Sequence, residues 1–110
     1  MTKTNELIGA ELDYFAGLAT ESINLDIDLE TFKRVNKDGF HRFSTNWQQG
    51  GPLIYKYPVC IGIHDFRRIA MAQGSHDEII YSESMDMDVD PLPALMRCVV
   101  FSVYGDEVND

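Results

Sequence analysis

Apolar runs long enough to cross a bilayer are missing from this 110-residue sequence, since a spanning helix needs about 20 such residues. The opening Met1-Thr2-Lys3-Thr4-Asn5-Glu6 has no basic stretch leading into an apolar one. It is therefore not read as a signal peptide, no membrane association is expected, and the soluble cytosol is the expected compartment. Cysteine is scarce. Cys60 and Cys98 stand far apart without a CxxC pairing and read as buried free thiols rather than a disulfide or a zinc site. Basic residues are few, 9 against 18 acidic ones for a formal charge of −9. Glycine-rich phosphate loops and dinucleotide fingerprints are lacking too, as is a nucleophile elbow around any serine. A length of 110 residues excludes barrel enzymes and predicts one domain over residues 1–110.

What is present is the composition of a globular chain, with 45% hydrophobic residues and an uneven distribution of charge. Residues 1–32 carry one basic and seven acidic groups, residues 33–73 seven basic and two acidic, and residues 74–110 one basic and nine acidic. Docking of the basic middle against the acidic ends is the favoured reading. An exposed basic patch for nucleic acid or an acidic partner is the alternative, opposed by the acidic remainder.

Periodicity predicts an α+β fold, with N- and C-terminal helices packed against a small, mainly antiparallel sheet. Ile8, Leu12, Phe15 and Ala19 recur on one helical stripe over residues 5–19, with Thr4 placed to cap it. Ile23, Leu25, Ile27 and Leu29 then alternate with Asn24, Asp26, Asp28 and Glu30, and Phe40–Phe43 alternates again, which together predict a hairpin over 22–43 turning at Asp38-Gly39. Ser44 or Thr45 is placed to cap a single helical turn carrying Trp47, ended by Gly50-Gly51. Leu53–Tyr57 and Val59–Ile63 read as extended runs divided by Pro58, Arg67–Ala72 as a strand, 74–78 as a surface loop and Ile79–Tyr81 as a short strand. Met85, Met87 and Val89 alternate with aspartates as an extended lead into the last helix. That helix has Asp90 as its cap, Pro91 as first residue, an apolar stripe of Leu92, Leu95, Met96, Val99 and Val103, and Gly105 beyond its end.

Chemistry is thin. Asp86-Met87-Asp88-Val89-Asp90 begins like a calcium loop, but Pro91 stands at the sixth position and Arg97 at the twelfth, so no metal site is assigned. His64-Asp65 is the most suggestive acid–base pair, yet neighbours on a strand point to opposite faces. His41 and His76 read as surface or turn residues. No catalytic residue and no cofactor is assigned. Arg97, off the apolar stripe, is expected to bind Asp13 or Glu11. Trp47 is read first as a core anchor, then as a protein or small-ligand contact, and last as a stacking platform for a nucleic-acid strand.

Two segments and a third fragment carry a family likeness: Ser44-Thr45-Asn46-Trp47-Gln48-Gln49-Gly50-Gly51-Pro52-Leu53-Ile54, then Pro91–Val99 with Gly105-Asp106-Glu107-Val108, and Leu12–Ala16. Together they resemble the small NinX-like proteins of bacteriophages and prophages, which read S-T-D-W-x-Q-G-G-P-I-I in the middle and P-L-x-A-A-M-R near the end. Asn46 replaces the aspartate of that pattern, Leu95 its second alanine, and Phe15-Ala16-Gly17 its Trp-Val-Ala. The resemblance implies a phage or prophage origin and an intracellular setting, and it implies no particular activity.

The leading expectation is a non-enzymatic accessory protein binding another protein, a host protein or a second copy, through Trp47, Gly50, Gly51, Tyr55 and Tyr57. The alternatives are a hydrolase or small-ligand site near His64, or nucleic-acid binding through Trp47 and the basic middle, with nucleic acid the least favoured partner.

Overall fold

The structure, a computed structural model, describes residues 1–37, 39–57, 59–73 and 78–109, and of His64 the backbone alone. The elements run β1 (Thr2–Lys3), a 3₁₀ turn (Thr4–Glu6), α1 (Gly9–Ala19), α2 (Leu29–Val35), α3 (Trp47–Ile54), β2 (Val59–His64), β3 (Arg67–Gln73), β4 (Ile79–Met85), α4 (Leu92–Tyr104) and β5 (Glu107–Val108). Strands β2-β3-β4 form one antiparallel sheet, and β1 pairs antiparallel with β5 in a second. The fold is α+β.

Helix α4 organises the interior. Leu92, Met96, Val99 and Val100 pack with Leu7, Leu12 and Phe15 on one side, while Ala94, Leu95 and Cys98 meet Ala70, Ala72 and Met85 of the sheet on the other. The single stripe expected for this helix is thus two buried sides, and α4 stands between α1 and most of the sheet. Alanines at 70, 72 and 94 bring helix and strands close together, with Leu95 and Met85 filling the space beside them. Helix α4 begins at Leu92 with Pro91 at its N-cap, one residue later than expected, and Asp90 Oδ1 accepts the Leu92 amide at 3.0 Å. Gly105 ends the helix at φ 81°, a left-handed value that glycine adopts without a Cβ penalty. Val103, expected on the buried stripe, is exposed.

Three local expectations are corrected. The N-terminal helix begins at Gly9, and Thr4 does not cap it. Thr4 is buried in the 3₁₀ turn, its hydroxyl donating to the Gly105 carbonyl at 2.6 Å and tying the two ends of the chain together; Ile8 is exposed.

The hairpin over 22–43 does not form. Asn24 Oδ1 accepts the Asp26 amide at 2.9 Å, and Asp28 Oδ1 accepts the Thr31 amide at 2.8 Å, which starts α2. Short side-chain acceptors that bond their own backbone favour turns and caps over a ladder, and here that local chemistry overrides alternation. The amide of Thr31 also holds the Asp28 carboxyl below its usual range. Residues 40–43 take backbone partners from side chains: Asn36 bonds both the amide and the carbonyl of His41, and Gln49 bonds the Phe40 carbonyl and the Arg42 amide. His41 is half-buried and stacks between Phe32 and Phe43. Asp38, half of the expected turn, lies outside the described residues.

Gly50, Gly51 and Pro52 do not end the helical turn at Trp47 but continue it to Ile54, so Leu53 and Ile54 are helical rather than extended. The cap is Asn46, whose Oδ1 accepts the Gln48 amide at 2.9 Å, not Ser44 or Thr45. Val59–His64 and Arg67–Gln73 are strands as expected; the third strand starts at Ile79 as expected and runs on to Met85. Beyond it, Met87 and Asp88 turn, and Met87 and Val89 are exposed rather than half-buried in a strand. Pro58 and most of the 74–78 loop, His76 included, lie outside the described residues.

Candidate functional site

Helix α3 presents its outer side beside the start of α4. Trp47, expected first as a core anchor, is 48% exposed, and its indole nitrogen donates to Asp90 Oδ1 at 3.2 Å. That oxygen also accepts the amide of Leu92, the first residue of α4, so one carboxylate fixes the indole and the helix start together. Tyr55, at the C-terminal end of α3, is 92% exposed. Trp47, Gly51, Pro52, Ile54 and Tyr55 line a shallow depression of about 410 Å³.

Two of the five expected contact residues play other parts. Gly50 is buried on the inner face of α3, where a Cβ would lie 2.1 Å from the Phe43 carbonyl oxygen and 3.0 Å from Leu92. Only glycine lets α3 approach so closely. Tyr57 turns inward, packs against the main core and donates its hydroxyl to the Ala19 carbonyl at 3.0 Å; burial raises its pKa. The structure therefore brings Trp47, Gly51 and Tyr55 together and withdraws Gly50 and Tyr57 into support.

A second depression, about 260 Å³, is lined by Ile61, Gly62, Ile63, Arg68 and Pro91; Pro91 directly follows Asp90, the residue that holds the Trp47 indole. Ile61 pairs with Ala70 and Ile63 with Arg68 in the ladder, so both isoleucines stand on the α4 side of the sheet. Ile63 is 70% exposed. Beyond it, Asp65 and Phe66 form a two-residue turn with φ of 51° and 65°, a type I′ geometry that suits the strand twist. Phe66 is 91% exposed at that tip although the left-handed region disfavours a bulky side chain. Sequence reasoning missed Ile61 and Ile63 as surface, because an apolar run reads as core.

The polar interior is structural. Asp13 Oδ1 accepts the Ser44 amide at 2.8 Å and the Ser44 hydroxyl at 2.7 Å, joining α1 to the turn before α3. Burial raises the Asp13 carboxyl above its usual value, against the lowering effect of Ser44 and of nearby Arg42 and His41. Ser44 is buried and cannot meet a substrate. Arg97 binds neither Asp13 nor Glu11. It grips the Glu83 carboxylate with two nitrogens and donates to the Leu7 carbonyl at 2.9 Å, while Tyr81 donates to Glu83 at 2.9 Å. The network ties α4 to β4, and its burial drives the Tyr81 hydroxyl strongly upward.

Both cysteines are free, Cys98 buried and, contrary to expectation, Cys60 exposed. Burial pushes the Cys98 thiol up to about 12, which keeps it protonated and inert. Two of the middle segment's cations reach the acidic ends, Lys33 to Glu11 at 3.8 Å and Arg67 to Asp86 at 2.7 Å. Among the described residues, no three His, Cys, Asp or Glu side chains gather as metal ligands, and no helix is long and apolar enough to cross a membrane. The His64 side chain, on which a hydrolase reading depends, lies outside what is described.

Comparison with known families matches residues 3–103 to the family described as Bacteriophage P22, NinX. No curated protein matches.

Proposed function

The chain belongs to the Bacteriophage P22 NinX family, and from that premise we propose that it is a non-catalytic accessory protein that binds another protein through the outer side of α3. The observation that carries this reading is the pairing of Trp47 and Tyr55 around one apolar depression. Tryptophan and tyrosine are favoured anchors of protein interfaces, because each offers a large, stiff area at low entropic cost. The Asp90 bond presets the indole, so less conformational freedom is lost on docking. The inert Cys98 and buried Ser44 support binding over nucleophilic chemistry.

Affinity capture from lysate of phage-infected bacteria tests this, comparing the wild-type chain with Tyr55→Ser. Tyr55 is so exposed that its loss leaves the fold intact. A protein retained by the wild type and depleted on the variant supports the reading; identical retained sets overturn it.

A further inference from the structure

Strand β2 is an edge of its sheet, with no strand on its other side among the described residues. The two-residue turn at Asp65-Phe66 makes His64 and Arg67 a hydrogen-bonded pair. By alternation Gly62 and Cys60 also bond β3, so the amides and carbonyls of Ile61 and Ile63 point away from it. Natural edges are blunted by charge, proline or a bulge. Val59-Cys60-Ile61-Gly62-Ile63-His64 carries no Asp, Glu, Lys or Arg, contains no proline and pairs with β3 in unbroken register. The opposite edge, β4, is guarded: its register shifts at Ala72/Gln73, and it faces Lys3–Asn5 across a groove.

We propose that β2 is the docking edge for an extended segment of a partner protein, apolar at alternate positions and basic at its flanks, which adds to the sheet as a fourth strand. This rests on the protein-binding reading and specifies its mode. Backbone bonds to Ile61 and Ile63 would hold the segment, and alternate side chains would enter the depressions along Pro91 and Trp47. Charge complementarity selects the flanks. Asp88 and Asp90 stand at alternate positions on the exposed loop that brings Pro91 to this edge, in a chain of net charge −9, while Asp86 on the same loop is already paired with Arg67. The same charge opposes a second copy as occupant, since two such chains repel.

Selection of random dodecapeptides on the immobilised full chain tests this. The parallel selection uses Ile63→Pro, which removes one outward amide and leaves the ladder to β3 intact; Ile61→Lys serves as a second edge variant. Expected are peptides with alternating apolar residues and lysine or arginine at their ends. Their binding should fall at least tenfold on either edge variant and weaken as salt rises. Absence of enrichment, or equal binding to the edge variants, overturns the proposal. So does concentration-dependent dimerisation of the chain that either edge variant abolishes, which would make the second copy the occupant. A lysate partner sensitive to Tyr55→Ser but held fully by Ile63→Pro would uphold protein binding and overturn strand addition.

Discussion

Gly50 passes so close to Phe43 that a methyl group on it would stand 2.1 Å from the Phe43 carbonyl oxygen. The neighbouring Gly51 has room: a Cβ there meets only the Trp47 ring, at 3.7 Å. The two glycines therefore differ in kind. Gly50→Ala forces backbone apart and is expected to destabilise by about 1–3 kcal/mol, as overpacking does. Gly51→Ala is expected to be neutral or to stabilise by up to about 1 kcal/mol through helix propensity. Urea unfolding of both variants checks the contrast, and equal destabilisation would contradict the placement of α3.

Asp13 makes stability depend on pH in a defined direction. Its carboxyl is raised in the fold, chiefly by burial, so the fold favours the protonated form. That contribution is complete below the unfolded value near 3.8 and is lost as pH rises through the folded value. In Asp13→Asn the loss disappears, because the amide oxygen keeps accepting from Ser44 without a buried charge. The stability difference between variant and wild type should shift in the variant's favour from pH 3 towards neutrality. Asp13→Ala should destabilise throughout, by about 1–3 kcal/mol, because the Ser44 amide and hydroxyl lose their acceptor.

The two thiols should separate cleanly in a labelling experiment. Cys60 is exposed, whereas Cys98 is buried with its thiol pushed up to about 12. A disulfide reagent at pH 8 is expected to modify one thiol per chain rapidly and the second only on unfolding. Rapid reaction of Cys98 in the native chain would contradict its position between α4 and the sheet.

Much of this fold was legible where one signal acted alone. The Asp90-Pro91 start and Gly105 end marked α4, and short β-rich runs marked β2 and β3. Reading failed where two signals competed. Residues 23–30 alternate like a strand, but Asn24 and Asp28 use their side chains to build a turn and a helix cap. Gly50-Gly51-Pro52 looks like a helix breaker, yet the close approach to Phe43 and Leu92 demands a residue without a side chain inside the helix. For the candidate surface, residue type singled out Trp47 and Tyr55, which the structure leaves exposed, although Trp47 was expected first as a core anchor. Ile61 and Ile63 were not singled out, since only the sheet order shows that β2 has no strand on one side among the described residues.

The most direct test of protein binding through α3 is photo-crosslinking in phage-infected bacteria, with p-benzoylphenylalanine in place of Tyr55 or, as a control, of Val35, an exposed residue on α2. The account predicts a discrete adduct to another protein from position 55 and none from position 35. No adduct at 55, or the same adducts at both positions, would contradict it.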